Sequence, residues 1–287
     1  MVAAVLILAV TGLAAVPAQA AFPGRNGAIA FHRSVGASTY VHVARSDGTR
    51  VRRLSCSKRD SAGACMDSDP AWSPNGRRLA IANAGGIATI DRNGKLLKQV
   101  ATAPPPDADD LELSSSYGAP VWSPSMRRIA FTVQFGDDTE VYIARIADGH
   151  TRKLTHGPAE PAWSSRNRIA LSGFGLSTVR PDGRRPRGVF QGEVVDIDWS
   201  PGGTRIVFTN SDGMFTIGST GKGRRKLEIG KRANPNEPVW APDGRIIAWV
   251  DFRGRKPFLR ALNRRTGRVR TILANVLSPD WQPKPRR

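Results

Sequence analysis

A short phrase centred on tryptophan recurs six times along the chain. Its most complete copies read Pro-Ala-Trp-Ser-Pro-Asn-Gly and Pro-Val-Trp-Ala-Pro-Asp-Gly. The six tryptophans follow one another at steps of 36 to 50 residues and are Trp72, Trp122, Trp163, Trp199, Trp240 and Trp281. A period in this range is typical of units that stack or that are arranged radially. This repeat is the feature that most constrains the fold.

Each repeat has the pattern of four short strands. Trp72 is followed by an Asn-Gly turn and by strand-like segments at 78–82, 87–90 and 96–100, the last two joined by a second Asn-Gly turn. Asn-Gly favours tight hairpins because both residues tolerate positive φ. The 29 glycines and 21 prolines of the 287 residues fit an all-β chain of many short strands. Repeated four-stranded units predict the blades of a β-propeller.

The two ends of the chain predict the number of blades. Residues 22–31 resemble the second strand of a repeat, and the segment around Trp281 resembles a first strand with almost nothing after it. Joining them closes the ring and leaves no unpaired edge. We therefore expect one six-bladed β-propeller over residues 21–287. Its blades are expected at 22–55 plus 277–287, 69–102, 119–156, 160–191, 196–229 and 237–274.

The first 20 residues have the pattern of a signal peptide. An apolar run over 2–16 is followed by Pro17-Ala18-Gln19-Ala20, the small-x-small pattern of a cleavage site. The alternative is an uncleaved anchor, which needs about 20 apolar residues to cross a bilayer. Because this run is shorter and ends in Pro and Gln, we expect cleavage after Ala20 and export to the periplasm, the cell envelope or the medium.

Cysteine use fits an exported protein. The chain has two cysteines, Cys56 and Cys65, in one loop. A close pair in a secreted protein most simply forms a disulfide, whereas two free thiols would be expected in a reducing compartment. We expect the disulfide to hold this loop.

The repeat also carries a resemblance to a known family. The phrase Pro-x-Trp-Ser-Pro-Asp/Asn-Gly-Arg-Arg-Ile/Leu-Ala, followed by a strand and Asp-Gly, resembles the WD-like repeat of TolB-type six-bladed propellers. The best copies lie at 69–82, 120–132 and 237–249, whereas Ser164–Asn167 and Gln282-Pro283 depart from the turn. The extra N-terminal domain of TolB is not expected here, because the first blade follows the predicted cleavage site directly. The resemblance implies a fold and a binding style rather than a particular partner.

In this frame the six tryptophans are expected to lie between neighbouring blades. A large ring there buries apolar area and holds adjacent sheets together. The alternative interpretation is that the rings stack on a ligand.

The charge of the chain is strongly positive and unevenly placed along each repeat. Its 43 Lys and Arg against 24 Asp and Glu give a net charge of +19. Basic pairs such as Arg77-Arg78, Arg127-Arg128, Arg184-Arg185 and Arg264-Arg265 lie in or beside turns that share one face of a propeller. This face predicts contact with an anionic envelope polymer, with anionic lipid or with an acidic protein. The alternative is a solvated arginine-rich surface. Nucleic acid is not expected, because no basic and aromatic stacking pattern is present.

Carboxylates recur three residues before the tryptophans, at the start of each innermost strand. The residues at this position are Asp69, Ala119, Glu160, Asp196, Glu237 and Ser278, so four of the six are carboxylates. We expect them to ring the mouth of the central channel, where they could hold Ca²⁺ or a basic peptide. The alternative is that each carboxylate caps a local turn. Asp198 adds a fifth carboxylate, which either joins the ring or points into its blade.

Two long loops are expected beside this mouth and are the first candidates for a partner surface. They span 55–68 and 101–119. Long loops on a rigid scaffold are often functional. The acidic residues of the second loop are Asp107, Asp109, Asp110 and Glu112.

Enzyme signatures are sparse. The chain has no Gly-x-Ser-x-Gly elbow, and its four histidines show no metal-ligand spacing. We therefore expect a monomeric, non-enzymatic binding scaffold without a cofactor, whose partner is a protein or an anionic envelope polymer. The alternative function is a propeller hydrolase, of the glycosidase or Ca²⁺-dependent lactonase type, that uses the carboxylates at the channel mouth.

Overall fold

The computed structural model describes residues 19–20, 22–56, 63–102, 115–136, 138–155, 160–253 and 256–285. Every regular element in these ranges is a β-strand, and the strands form six sheets. No helix capable of crossing a membrane occurs in the described ranges. Most of the predicted signal peptide, residues 1–18, lies outside the described residues.

The first three blades each contain four antiparallel strands. From the innermost strand outward they are β25 (Leu277–Lys284), β2 (Arg25–Val35), β3 (Ser38–Ala44) and β4 (Arg52–Arg53) in blade 1; β5 (Ser68–Trp72), β6 (Arg78–Asn83), β7 (Gly86–Asp91) and β8 (Leu96–Ala101) in blade 2; and β9 (Ser115–Trp122), β10 (Arg128–Phe135), β11 (Asp138–Arg145) and β12 (Thr151–Thr155) in blade 3.

The remaining three blades repeat this order. They are β13 (Pro161–Trp163), β14 (Ile169–Leu171), β15 (Gly173–Val179) and β16 (Arg187–Val194) in blade 4; β17 (Ile197–Trp199), β18 (Arg205–Asn210), β19 (Gly213–Gly218) and β20 (Arg225–Lys226) in blade 5; and β21 (Pro235–Trp240), β22 (Ile246–Asp251), β23 (Phe258–Asn263) and β24 (Val269–Ala274) in blade 6. A further short strand, β1 (Gln19–Ala20), pairs in parallel with β17.

The last strand of the chain closes the ring, as the sequence predicts. In blade 1, β25 pairs with β2 in antiparallel register, with Trp281 opposite Ile29 and Asp280 opposite Ala30. This pairing covers the innermost edge of a blade that would otherwise begin with its second strand. The prediction of a six-bladed, all-β propeller is confirmed.

The antiparallel strands divide the loops between two faces. Turns between the first and second strands and between the third and fourth strands lie at one end, which we call the turn face. Loops between the second and third strands and the connections between blades lie at the other end, which we call the loop-bearing face. Every innermost strand starts at the loop-bearing face.

The tryptophans of the repeat lie against the preceding blade. All six are at most 3 % exposed. Trp72 of blade 2 belongs to the same buried cluster as Val41 and Val43 of blade 1. Trp281 of blade 1 belongs to a cluster with Ala248 of blade 6. Large rings thus fill the space between successive sheets, where they bury apolar area.

The Asp-Gly and Asn-Gly turns also join blades. Gly94 has φ +94°, and a Cβ placed on it would lie 1.9 Å from the carbonyl oxygen of Leu54 in blade 1. Gly48 has φ +87°, and its Cβ would lie 2.2 Å from the carbonyl oxygen of Ile272 in blade 6. Glycine is needed at these two turns both for the left-handed backbone and for the close approach of the neighbouring blade.

Candidate functional site

The predicted carboxylates lie at the start of the innermost strands, on the loop-bearing face. Asp69 and Glu237 are within β5 and β21, and Glu160 and Asp196 directly precede β13 and β17. All four side chains belong to buried residues, with 9, 3, 7 and 2 % exposure respectively. They therefore form a recessed ring rather than a surface cluster.

Hydrogen bonds join the ring from blade to blade. The N–H of Glu237 donates to Asp196 Oδ2 at 2.9 Å, and the N–H of Ser278 donates to Glu237 Oε2 at 2.5 Å. The hydroxyl of Ser278 then donates to Asp69 Oδ1 at 2.8 Å. Blades 5, 6, 1 and 2 are linked in this order. Asp196 and Glu237 thus accept hydrogen bonds from the next blade, and Asp69 accepts one from the preceding blade. Asp196 also accepts the hydroxyl of Thr209 in its own blade, at 3.3 Å.

The backbone at these positions is in the left-handed region. Asp69, Glu237 and Ser278 have φ of 49°, 51° and 48°, and Ala119 at the equivalent place in blade 3 has φ 47°. The pairing of the first and second strands shifts register in the same four blades. A left-handed conformation costs roughly 1–2 kcal/mol for a residue other than glycine. Hydrogen bonds from the N–H groups of Glu237 and Ser278 to buried carboxylates offset part of this cost.

Burial and mutual repulsion shift the pKa values of the ring. Burial raises the pKa of Asp196 to about 6, against the opposing hydrogen bonds from Glu237 and Thr209. Burial, reinforced by the charges of Asp196 and Asp69, raises the pKa of Glu237 well above its ordinary value. Among the described residues, Glu237 Oε1 has no hydrogen-bond partner. The ring thus concentrates proton-binding groups in a recess.

One histidine that sequence patterns did not single out, His32, contacts the ring. His32 Nδ1 lies 3.5 Å from Asp69 Oδ1 and accepts a hydrogen bond from the N–H of Asp69 at 3.3 Å. Burial lowers the pKa of His32, while the charge of Asp69 opposes that shift. The hydrogen bond leaves the proton of the neutral ring on Nε2. No sequence signal marked His32, because its partner lies in the next blade.

Asp198 lies deeper than the ring and faces the next blade. Its Oδ2 accepts the N–H of Trp240 at 2.7 Å. Asp280 makes the same contact in blade 1, with Oδ2 accepting the N–H of Trp72 at 2.5 Å. Burial raises the pKa of Asp280 well above its ordinary value. Asp280 was not among the predicted site residues, although the shared Asp-Trp dipeptide marks both positions in the sequence.

Two blades have alanine, Ala71 or Ala162, at the position of this aspartate. There the indole of the tryptophan in the following blade makes the hydrogen bond between blades. The Nε1–H of Trp122 donates to the carbonyl of Ala71 at 2.9 Å, and that of Trp199 donates to the carbonyl of Ala162 at 3.0 Å. Two of the tryptophans that were predicted to lie between blades, Trp122 and Trp199, therefore also join blades through their indole hydrogen bonds.

The disulfide region lies on the loop-bearing face. Cys56 and Cys65 form the predicted disulfide, with their Cα atoms 5.6 Å apart. The N–H of Thr39 in blade 1 donates to the carbonyl of Cys65 at 2.6 Å, and the hydroxyl of Ser55 donates to Asp67 Oδ2 at 2.7 Å. The loop is thereby held against blade 1. In the other long loop, the predicted site residues Asp107, Asp109, Asp110 and Glu112 lie outside the described residues.

No three His, Cys, Asp or Glu side chains in the described ranges come together in a group that could hold a metal ion.

Exposed phenylalanines lie around the same face. Phe174 is 93 % exposed, and Phe252 and Phe258 are 37 and 38 % exposed. Phe174 begins the third strand of blade 4, and the other two flank the loop between the second and third strands of blade 6. All three exposed phenylalanines of the described residues are therefore on the loop-bearing face.

Comparisons with known proteins agree with this architecture. A family model described as the TolB beta propeller domain matches residues 19–284. No curated protein sequence matches the chain. Among solved structures, TolB from Acinetobacter baumannii superposes with a TM-score of 0.72 at 16 % identity, covering 90 % of this chain and 67 % of that one.

Two other structures show how widely this fold is used. A chain of the nidogen/laminin complex superposes with a TM-score of 0.68 at 11 % identity, covering 90 % of this chain and 99 % of that one. Oligogalacturonate lyase from Vibrio parahaemolyticus superposes with a TM-score of 0.58 at 11 % identity, covering 90 and 79 %. At such identities these likenesses show the fold alone.

Proposed function

The chain belongs to the TolB beta-propeller domain family, and from this premise we propose that it is an exported, non-enzymatic binding scaffold. Its partner would be a protein or an anionic polymer of the cell envelope. Export is supported by the Cys56–Cys65 disulfide, since such bonds persist in oxidising compartments. The signal-peptide pattern of residues 1–20 supports it further.

One observation carries the proposal of a protein partner: the exposed phenylalanines share the face that bears the acidic ring. Phe174, Phe252 and Phe258 each expose more than a third of their surface there. Aromatic side chains are enriched at protein interfaces because they supply large contact area at low conformational cost. Exposed acids, including Glu193 and Asp212, lie on the same face together with exposed bases such as Arg232 and Lys256. A partner segment that combines apolar side chains with charges of both signs would match this surface.

The second candidate function is a hydrolase that uses the carboxylate ring. The raised pKa values of Asp196 and Glu237 favour it, because perturbed carboxyl groups are frequent at catalytic sites. Their geometry favours the scaffold instead. The two residues are only 2 and 3 % exposed, and each already accepts a backbone N–H of the next blade.

A capture experiment tests the protein partner. The protein would be immobilised and exposed to envelope extract as wild type, as a Phe174→Ser/Phe258→Ser variant, and as a Leu96→Ser/Leu97→Ser control. The two leucines are 41 and 44 % exposed and start the fourth strand of blade 2, at the turn face. We expect quantitative mass spectrometry to show a protein that the phenylalanine variant loses and the leucine control retains. The same bound proteins with all three would refute the proposal.

A separate assay tests the hydrolase. Wild type and Glu237→Gln would be incubated with acidic and neutral polysaccharides and with lactones. Turnover by the wild type that the variant loses, while its unfolding midpoint stays unchanged, would establish the enzymatic alternative in place of the scaffold.

A further inference from the structure

An arginine-lined cleft lies between blades 3 and 4 on the turn face. Its volume is about 480 Å³. Blade 3 contributes one wall through Arg128 at the start of β10, and the two turns of blade 4 contribute the other. The lining residues are Arg128, Arg166, Asn167, Arg168, Arg180, Pro181 and Asp182.

Two of these arginines are held by the blades themselves. Arg168 donates through one terminal nitrogen to the carbonyls of Thr178 and Arg185, at 3.1 and 3.0 Å. Arg166 Nε donates to the carbonyl of Gly202 in blade 5 at 2.8 Å. These contacts hold Arg166 and Arg168 in place, and they occupy N–H donors that would otherwise be open to a ligand.

The other two arginines keep their donors. The guanidinium carbon of Arg128 lies 5.7 Å from the ring centroid of Trp163, and Arg180 is exposed. Within the described part of the chain, neither side chain makes a hydrogen bond or an ion pair. A guanidinium has five N–H donors in a planar fork, so each of these groups can bind an oxyanion through two parallel hydrogen bonds.

One carboxylate, Asp182, balances only part of the positive charge in the cleft. It accepts the N–H of Arg184 in its own turn at 2.9 Å. This hydrogen bond is the main cause that lowers the pKa of Asp182, and the charges of Arg184 and Arg180 add to the shift. Burial, together with the charges of Arg187, Arg180 and Arg185, lowers the pKa of Arg168. Burial and the nearby charge of Arg128 likewise lower the pKa of Arg152 beside the cleft. An anion bound here would relieve the repulsion between these guanidinium groups.

We infer that this cleft binds a phosphate group of a compact ligand, with Arg128 and Arg180 as its clamps. Four arginines against one carboxylate favour a ligand with about two negative charges in a small volume, which a phosphate monoester or a pyrophosphate provides and a single carboxylate does not. The volume lies within the range of about 300–1,000 Å³ for small-molecule sites. The cleft is on the face opposite to the one proposed for the protein partner, so neither proposal depends on the other.

Calorimetric titration with inorganic pyrophosphate at low salt tests the site. The full chain would be compared with an Arg128→Gln/Arg180→Gln variant and with an Arg77→Gln/Arg92→Gln control. The control removes the same charge from exposed turn residues of blade 2, on the same face. Since charge-assisted hydrogen bonds contribute well above neutral ones, we expect the cleft variant to bind at least about tenfold more weakly. The control should stay within about twofold of wild type.

Vesicle sedimentation distinguishes a soluble phosphate from a lipid headgroup. Vesicles of phosphatidic acid, whose headgroup is a phosphate monoester, would be compared with neutral phosphatidylcholine. Selective loss of pyrophosphate binding in the cleft variant supports a soluble ligand, and selective loss of anionic vesicle binding alone supports a phosphate at a lipid surface. Equal weakening of the cleft variant and the control, or no binding of either probe by wild type, overturns the inference. Arg180→Gln alone replaces the double variant if loss of the Arg128–Trp163 contact lowers the unfolding midpoint.

Discussion

The carboxylate of Asp280 in blade 1 accepts a hydrogen bond from the backbone N–H of Trp72 in blade 2, with Oδ2 2.5 Å from the nitrogen. The two residues are 208 positions apart in the chain, and both are buried. The contact joins the strand that closes the ring to the first tryptophan of the repeat. Asp198 and Trp240 form the same contact between blades 5 and 6.

Replacing Asp280 tests this contact. Asp280→Ala would leave the buried N–H of Trp72 without its acceptor, and we expect a loss of about 1–3 kcal/mol in the free energy of unfolding. Asp280→Asn keeps an acceptor oxygen in the same place and should lie close to wild type. Urea unfolding of the three proteins measures the difference. Equal losses in the two variants would show that the hydrogen bond contributes nothing specific.

The raised pKa of Asp196 predicts a pH effect on stability. Its carboxyl has an ordinary pKa of 3.8 and a folded-state pKa of about 6, so the folded protein binds this proton more tightly than the unfolded chain does. The resulting stability is present below about pH 4 and is lost as pH rises through about 6. As pH rises over this range, the free energy of unfolding of wild type should fall by roughly 3 kcal/mol relative to that of Asp196→Asn.

Glu193→Gln is a control, because the pKa of Glu193 is shifted in the direction opposite to that of Asp196. The carboxylate of Glu193 accepts the N–H of Ser211 at 3.1 Å, and the hydrogen bonds to Ser211 lower its pKa. Its contribution is therefore present at neutral pH and is lost on acidification. Unfolding midpoints recorded from pH 3.5 to pH 7.5 should diverge in opposite directions for the two variants. Parallel curves for wild type and Asp196→Asn would contradict the predicted burial effect.

Two glycines at equivalent turns separate backbone strain from steric contact. Gly94 and Gly183 have φ of 94° and 82°, but a Cβ on Gly94 would meet the carbonyl of Leu54 at 1.9 Å, whereas one on Gly183 would meet nothing within 4 Å. Gly183→Ala should lower the free energy of unfolding by about 1 kcal/mol, because alanine disfavours the positive φ at this position. Gly94→Ala should lower the free energy of unfolding by about 1–3 kcal/mol more, because the backbone of blade 1 must move to make room for the new Cβ. Thermal unfolding measures both, and equal midpoints would contradict the close approach.

The disulfide should stabilise the folded protein by constraining the unfolded chain. Cys56 and Cys65 are nine positions apart, and closing a loop of this length is worth about 2.5–3 kcal/mol in the chain-entropy description. Cys56→Ser/Cys65→Ser should therefore unfold at lower denaturant concentration than oxidised wild type. Added reductant should lower the wild-type midpoint to that of the variant and leave the variant unchanged. A wild-type midpoint that does not respond to reductant would refute this prediction.

Sequence patterns predicted much of the architecture. The spacing of Trp72, Trp122 and the later tryptophans indicated blades, and the incomplete repeats at the two ends indicated closure by the last strand. Every blade uses the same alternation of strands and turns, so one repeat predicts the position of a residue in all six. The residues that start each innermost strand can therefore be assigned to one face from strand alternation alone.

The contacts of the site were not predictable in the same way. The hydrogen bonds of Asp196 to the N–H of Glu237 and of Asp280 to the N–H of Trp72 cross from one blade to the next. Their existence depends on the curvature of the ring and on the register shifts of individual strands. The local capping considered for the carboxylates describes only part of their bonding, because Asp196 accepts the hydroxyl of Thr209 in its own blade and also the N–H of Glu237 in the next. The roles of His32 and Asp280 were missed for the same reason.

By itself, the sequence determined the number of blades, the closure of the ring and the face on which each turn lies, because these follow from strand periodicity along one chain. Only the tertiary structure decided that the acidic ring is recessed and shared between blades. Only the tertiary structure placed Arg128 of blade 3 opposite Arg180 of blade 4. Burial, pKa shifts and clefts depend on how successive blades meet, and that distance is set by packing across the ring rather than by any pattern within a repeat.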